Sequence, residues 1–277
     1  VDRASGGVAE ADEIYVVGDV HGHLAELVRA LHDRGLVDER GNWAGGDAAL
    51  WFLGDFVDRG PDGVGVIEFV MGLAEQSDGR VDSLIGNHEV LLLGMRRFGD
   101  ENVPNAPTPR SFGRSWLLNG GLRSDQDRLT DRHVEWLTTR PVLHLVDDHL
   151  LMHSDTLAYL EWGDTIDEVN AAVQEVLTGD DLEAWWECWR KMTTRYAFRG
   201  DDGGVVAAEL LSVLGGAQVV HGHSVIADQL GVSPAEIDGP LRYADGKVLA
   251  VDAGLYTGGP CLVVRLDEEA EGEADLG

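Results

Sequence analysis

Lysine is almost missing from this chain. Lys191 and Lys247 are the only two in 277 residues, and arginine carries nearly all the other positive charge. Cysteine is as scarce. Cys188 and Cys261 allow at most one disulfide, which excludes a disulfide framework and a cysteine-rich zinc site, and a reducing cytoplasmic location is the default expectation. No apolar run approaches the roughly 20 residues needed to cross a bilayer. No basic segment followed by an apolar stretch opens the sequence, which predicts no export. Residues 1–7 carry no structural pattern and stand outside the fold reading. Positive charge is short overall, since 50 acidic residues face 21 basic ones for a net charge of -29. Such a surface repels nucleic acid and anionic membrane, so neither is expected as a partner. An anionic substrate is repelled too unless cations sit where it binds. The acidic residues are spread over the whole chain, which reads as a solubility device or an adaptation to salt.

What is present is an ordinary apolar fraction of 44%, in a chain long enough for one full-sized core. The first half repeats one event. An apolar run at 14–18 ends in Gly18-Asp19, and Leu24, Leu27, Val28 and Leu31 follow at helical spacing. A run at 50–53 ends in Gly54-Asp55, and Val64, Ile67 and Met71 continue helically. A run at 81–85 ends in Gly86-Asn87, with a helix through 90–93. Strand, glycine, polar residue, helix: the pattern predicts strands whose C-terminal ends share one sheet edge, where ligands of α/β sheets usually bind. Residues 99–110 contain Pro104, Pro107 and Pro109 and read as a loop, with short helices near 116–118 and 134–137 that can form a cap. Paired strands are expected at 142–146 and 150–153. A helix opened by Thr165 and Glu168 in capping-box spacing follows, then a Trp-rich helix at 182–192 and another at 205–214. A strand at 218–220 delivers His221-Gly222-His223. Strands at 241–244 and 248–251 flank Asp245-Gly246 as a hairpin, 261–266 is a last strand, and 268–277 is an acidic, apolar-poor tail expected to be disordered.

Short segments at the expected strand ends carry the chemistry: Gly18-Asp19-Val20-His21-Gly22, Gly54-Asp55-Phe56-Val57-Asp58-Arg59-Gly60, Gly86-Asn87-His88-Glu89, Met152-His153-Ser154 and His221-Gly222-His223. Carboxylate oxygen and imidazole nitrogen suit divalent ions such as Mn, Fe or Zn. A carboxylate such as Asp55 can bridge two ions about 3.5–4 Å apart, which can clamp a phosphate between them. Taken singly, each segment is weak. An isolated Asp-x-His is common, Asp58-Arg59 can be a surface ion pair, and a lone His153 is more often a core histidine. The ordered set at strand ends lifts the case, because so many buried acceptors need partners and cations are the simplest ones.

The set resembles the signature of the calcineurin-like metallophosphoesterases, and within them the phosphoprotein phosphatase (PPP) family, whose motifs read GDxHG, GDxVDRG and GNHE. All three are matched in order, and the likeness runs from about residue 14 to about residue 264. It implies an α/β fold, a sandwich of two mixed β-sheets flanked by helices with a dimetal site at the C-terminal edge of the strands. The whole chain is expected as one domain, with a core of about 13–267, a helical cap-like insertion at about 95–140 and the tail at 268–277. The resemblance implies two divalent metal ions, manganese first, with iron or zinc as alternatives. Asp19 and His21 would bind one ion, Asp55 would bridge, and Asn87, His153 and His223 would bind the other. His88 would be the general acid, Asp58 its orienting partner and Arg59 the grip on phosphate.

Two departures stand out. The family usually has His-Gly-Gly where this chain has His153-Ser154-Asp155, and Gly-His-Thr where it has Gly222-His223-Ser224. His221 lies two residues from His223 and on a strand would share its face, so it competes as a ligand but is placed behind the ligands. His23 is read as the start of a helix. A second phosphate-binding arginine is implied, with Arg190, Arg195 and Arg199 as candidates. Arg195 is preferred because Thr194-Arg195-Tyr196 best resembles the bacterial, Shewanella-like branch. The implied activity is direct hydrolysis by a metal-bridging hydroxide, removing phosphate from phosphoproteins at Ser, Thr or Tyr. The alternative is a dinucleoside polyphosphate or nucleotide hydrolase, with a pocket whose walls Trp185, Trp186 and Trp189 can supply, though at their spacing a packed helix face is the commoner outcome. A non-catalytic metal- or phosphopeptide-binding module is the third reading, and the intact first-half motifs speak against it.

Overall fold

The computed structural model describes residues 13–105, 108–267 and 276. The first half is laid down as β1 (Ile14–Val17), α1 (Leu24–Asp33), β2 (Ala49–Phe52), α2 (Gly63–Gln76), β3 (Val81–Ser83) and α3 (Asn87–Phe98). Three short helices follow: α4 (Phe112–Leu118), α5 (Arg123–Arg128) and α6 (Asp131–Thr138). Next come β4 (Leu143–Val146), β5 (His149–Met152), α7 (Ile166–Thr178), α8 (Leu182–Met192), α9 (Gly203–Leu214), β6 (Gln218–His221) and α10 (Ile226–Leu230). The hairpin β7 (Leu241–Tyr243) and β8 (Val248–Ala250) and the strand β9 (Val263–Arg265) complete the order.

Two mixed sheets result, in the orders β3-β2-β1-β9 and β4-β5-β6-β8-β7. Within the first, β1, β2 and β3 run parallel and β9 is antiparallel to β1. Within the second, β5, β6 and β8 run parallel and β4 and β7 are antiparallel edges. The period-2 alternation of strand side chains builds the sandwich. Val16, Trp51, Leu151, Val220 and Leu249 belong to one buried apolar cluster, which is the seam between the sheets. The alternate residues Tyr15, Val17, Leu50, Phe52, Leu150 and Val219 belong to the larger cluster with the helices. The strands are buried on both faces and so read as continuous apolar runs rather than as alternation. His144 stacks on Trp51 with ring centroids 3.9 Å apart and ties β4 to the first sheet. This is the α/β sandwich expected from the sequence.

The parallel strands decide where the chemistry goes. Each sheet contributes three, and their C-terminal ends face the same edge, so the polar residues after each apolar run converge there. The Thr165–Glu168 capping box opens α7, with the Thr165 hydroxyl accepting the Glu168 N–H at 3.3 Å and the Glu168 carboxylate accepting the Thr165 N–H at 3.2 Å. Helix α5 has no counterpart in the sequence reading because its segment Arg-Ser-Asp-Gln-Asp-Arg contains no apolar residue to show a helical period. The last strand is shorter than expected, beginning at Val263 rather than 261. The tail expectation for 268–277 lies outside the described residues, Leu276 excepted. Among the described residues, no helix is long and apolar enough to cross a membrane.

Helix α4 is fastened by Phe112, which is fully buried among Phe98, Trp185 and Trp186, with centroids at 5.8, 6.4 and 5.3 Å. Trp185 and Trp186 are therefore core residues, the commoner of the two outcomes for a Trp-rich helix. Phe112→Ala is expected to cost about 3–5 kcal/mol of unfolding free energy, because a cavity remains where the ring stood. Denaturant unfolding measures it, and a loss below about 1 kcal/mol would show that α4 is not held by this cluster.

Candidate metal centre

Backbone close approach shapes the site first. A Cβ on Gly18 would lie 2.6 Å from the Val251 carbonyl oxygen, and one on Gly54 would lie 2.3 Å from the Gly86 nitrogen. Only glycine lets the strand exits pack this tightly. His21, Asp55, Asp58, Arg59 and His223 all adopt left-handed φ values, at 45°, 55°, 66°, 65° and 63°. Non-glycine residues rarely hold this region, and when they do it is often at functional sites. Glu89 supplies part of the restraint. Its buried carboxylate accepts the backbone N–H groups of Asp55, Phe56 and Gly86 at 2.7, 2.7 and 2.9 Å, stapling the exits of β2 and β3 together.

The imidazoles are aimed by the nitrogen they do not offer. Nδ1–H of His21 donates to the Val57 carbonyl at 2.8 Å, which leaves Nε2 as a bare acceptor. Nδ1–H of His153 donates to the Leu53 carbonyl at 2.9 Å, and its Nε2 faces Oδ1 of Asn87 at 2.8 Å and Oδ1 of Asp55 at 3.4 Å. These are acceptors facing acceptors, an arrangement that needs a shared cation. His223 uses Nε2–H toward the Thr193 carbonyl at 3.2 Å, leaving Nδ1 for a ligand, while its backbone N–H donates to Asp19 at 2.9 Å. Two overlapping groups emerge, His21 with Asp55 and His88, and Asp55 with His153 and His223, whose donor atoms lie within 4.8 Å of one another. Asp55 is common to both. Asp19 stands beside the first group, 3.8 Å from Nε2 of His21.

His88 makes a different kind of bond. Its Nδ1 lies 2.7 Å from Asp58 Oδ2, and the other Asp58 oxygen accepts the indole N–H of Trp116 at 2.8 Å. Its Nε2 points into the cluster, 4.0 Å from Asp55. Arg59 places Nη1 and Nη2 at 3.0 Å from Nε2 of His21 and of His88, and lies over the Tyr256 ring at 4.1 Å. The His21 lone pair it uses is the one that His21 would offer to a metal.

Burial dominates the electrostatics. It pushes the Asp19 and Asp55 carboxyls well above the usual range, helped by Asp252 for the first and Glu89 for the second. Burial also raises Asp58 and Glu89 to about 7 and Asp252 to about 6. The same effect drives His21, His88 and His223 well below 6.5, and His153 to about 3. Crowded carboxyls beside neutral imidazoles and a carboxamide oxygen suit divalent cations of hard to borderline character. One oxygen of Asp252, a residue 2% exposed, has no hydrogen-bond partner among the described residues. The donor set therefore fits two divalent ions.

The structure brings together Asp19, His21, Asp55, Asp58, Arg59, Asn87, His88, His153 and His223. It separates His221, whose Nε2 bonds to the Tyr243 hydroxyl at 2.8 Å and whose Nδ1 bonds to the Gly222 carbonyl at 2.8 Å. Strand β6 ends at His221, and the left-handed turn at His223 breaks the shared-face rule that made His221 a competitor. Among the three arginines, Arg190 pairs with Glu187 at 2.6 Å and Arg199 lies 4.8 Å over the Tyr196 ring. The charge of Arg195 is the one that reaches His88, His153 and His223. Asp252, Tyr256 and Trp116 went unnoticed in the sequence. Asp252 follows the apolar run of β8 directly, without the glycine that precedes Asp19 and Asp55, so the strand-glycine-polar pattern passed over it. Trp116 had no signal, being 58 positions from the carboxylate it bonds.

Residues 13–227 match the calcineurin-like phosphoesterase profile, and the chain belongs to that family. It is a metallophosphoesterase of a dimetal-dependent family. A symmetrical bis(5'-nucleosyl)-tetraphosphatase of Aromatoleum aromaticum is 30% identical over 175 residues, which cover 62% of this chain and 54% of that protein. Its Escherichia coli K12 counterpart is 29% identical over 168 residues, 60% of this chain and 51% of that protein. This chain thus spans about half the length of the curated relatives it matches. Among solved structures, the cold-active protein-tyrosine phosphatase of a psychrophilic Shewanella species superposes with a TM-score of 0.67 at 19% identity, over 92% of this chain and 75% of that one. A Saccharomyces cerevisiae protein serine/threonine phosphatase gives 0.54 at 16% identity, over 89% and 68%. These structural likenesses establish the same fold.

The raised carboxyls set the pH behaviour of metal binding. Because burial raises the Asp19 and Asp55 carboxyls, an incoming cation displaces protons from them, whereas the depressed histidines are neutral and release none. Affinity for Mn²⁺ is therefore expected to rise with pH, with net proton release. Calorimetry in two buffers of different ionisation heat measures this, and a binding heat independent of buffer would contradict it.

Proposed function

We propose that this protein is a phosphomonoesterase that removes phosphate from phosphorylated proteins at Ser, Thr or Tyr, using two divalent ions of which Mn²⁺ is the first candidate and Fe or Zn the alternatives. The observation that carries the reading is the buried Asp58–His88 pair, which aims Nε2 of His88 into a cluster centred on Asp55. In this reading Asp19 and His21 hold one ion, Asn87, His153 and His223 hold the other, and Asp55 bridges. When bound, such ions supply Lewis-acid charge and lower the pKa of water.

The chain's own residues do the rest. Asp58 accepts Nδ1–H of His88 and stabilises the charge that appears when the imidazole carries a second proton. Trp116 holds Asp58 in place. From Nε2, His88 delivers that proton to the departing oxygen. Arg59 and Arg195 offset charge on the phosphoryl oxygens as it builds up. They are local cations on a strongly acidic molecule, which gives an anionic substrate one place to settle. We place the reaction in the cytoplasm, where Cys188 and Cys261 stay free thiols, and read 13–267 as one domain.

Two features bear on the substrate. Trp185 and Trp186, only 2% and 7% exposed, are packed around Phe112, which leaves little of either ring for a nucleobase. A half-open groove of about 450 Å³ lined by Arg110, Arg114, Leu118, Trp189 and the rim of Trp186 suits an extended polypeptide better than an enclosed base. The second reading, a dinucleoside polyphosphate hydrolase, is favoured by the names of the curated relatives. The deciding experiment is hydrolysis of p-nitrophenyl phosphate with Mn²⁺ and with chelator, then kcat/KM on a phosphopeptide against diadenosine tetraphosphate. Metal-dependent turnover with a preference for phosphopeptide supports the proposal. A preference for the dinucleotide replaces it with the second reading.

His88→Asn is expected to lower kcat by about 10²- to 10⁴-fold, the usual contribution of a positioned proton donor, while metal content stays at the wild-type level. Unchanged turnover would remove His88 from the mechanism.

A further inference from the structure

The two places where the sequence departs from the family pattern meet in space. Ser224, after His223, donates its hydroxyl hydrogen to one oxygen of Asp155, two residues after His153. The other Asp155 oxygen accepts the backbone N–H of Tyr196 at 2.8 Å, and the Asp155 carbonyl accepts the N–H of Ala197 at 3.0 Å. Next along the chain, the Thr156 hydroxyl is 2.6 Å from the hydroxyl of Thr194. Both neighbours of Arg195 are thus pinned to residues 155 and 156, while the Arg195 side chain between them is exposed. Tyr196 turns the loop with a φ of 70°, a conformation a non-glycine residue holds only when its surroundings fix it. On the near side, the Thr193 carbonyl receives the ring N–H of His223 at 3.2 Å.

Asp155 is fully buried and, among the described residues, has no cationic partner, so its charge is met by hydrogen bonds alone. Burying a carboxylate this way is costly. A turn after β5 does not need an acid. What the carboxylate adds is a joint between three segments: the exit of β5, the exit of β6, and the 193–197 loop.

We propose that Asp155, with Thr156, is a positioning clamp that sets Arg195 at the rim of the metal centre, where it binds the substrate phosphoryl group. The proposal rests on the reading of Arg195 given above. The clamp acts through the arginine and touches neither substrate nor metal. Where two glycines would leave the segment after His153 free, the acid makes the arginine's place part of the same rigid unit as His153 and His223.

The test is a double-mutant cycle in Mn²⁺-loaded enzyme with p-nitrophenyl phosphate. Arg195→Ala is expected to raise KM about 10- to 100-fold, the worth of a hydrogen bond to a charged group. Asp155→Ala is expected to raise KM by a similar factor, and Asp155→Ala combined with Arg195→Ala no further than Arg195→Ala alone. Asp155→Asn, which keeps an oxygen for Tyr196 and a polar group for Ser224, is expected to recover most of the lost KM. Metal stoichiometry is expected to match wild type in every variant. Multiplicative effects on KM, or an Asp155→Ala variant with wild-type KM, overturn the clamp while leaving Arg195 as a phosphate ligand. An unchanged KM in Arg195→Ala removes that ligand reading and the clamp with it. If Asp155→Ala does not fold, Thr156→Val, which cuts the tie to Thr194, takes its place in the cycle. Additivity there overturns the proposal equally.

Discussion

The buried carboxylate of Asp55 is the constraint on which the rest of the structure depends. It sits at the crossing of two groups of metal-binding side chains, in a left-handed backbone conformation, 1% exposed to water. Burying a charge is expensive, and here Asp19, Asp58 and Glu89 crowd around it, with Asp252 beside Asp19. The His88 backbone N–H, at 2.9 Å, and the Arg59 charge relieve part of this, while the imidazoles, kept neutral by the same burial, add no charge. Divalent cations would offset the rest. The glycine turns, the Glu89 staple and the aimed ring nitrogens serve to hold acceptors where repulsion would otherwise spread them.

A second tier connects this centre to the helical segment between α3 and β4. Trp116 reaches from α4 to Asp58, and the Gly120 carbonyl accepts the Arg59 N–H at 2.8 Å, so the Asp58–His88 pair and Arg59 both lean on the same short stretch. Phe112 anchors that stretch in the aromatic cluster. Packing energy far from the reacting groups is thereby converted into orientation at His88 and Arg59. The exit of β5 plays the same part for the other arginine.

Much of this was legible because the physics is local. Three strand exits announce themselves as an apolar run, a glycine and a polar residue, since close approach demands glycine and the sandwich seam demands apolar strands. The strand exits therefore predicted the parallel strands and the grouping of Asp19, His21, Asp55, Asn87 and His88, while the sandwich of two sheets was implied by the family resemblance. Long-range partners were not legible. Nothing in the sequence says that Trp116 serves Asp58, or that Ser224 meets Asp155. Helix α5 was invisible because its residues are all polar. His221, placed behind the ligands in the sequence reading, does stand apart from them, because the chain leaves the β conformation after His221 and the parity argument stops there. Arg195 was preferred over Arg190 and Arg199 on its local motif alone, and the ion pair of Arg190 with Glu187 could not be read from that motif. Asp252 was missed because it follows its strand without the glycine that precedes Asp19 and Asp55.

The account stands on Asp55 as the shared ligand of two cations, and metal stoichiometry tests that most directly. Wild-type protein and Asp55→Asn, each loaded with Mn²⁺, freed of excess by gel filtration and assayed by elemental analysis, give the answer in one comparison. Two equivalents per wild-type chain, with loss of both in Asp55→Asn, is the predicted result. Retention of two equivalents in Asp55→Asn, or binding of no metal by the wild type, would contradict it.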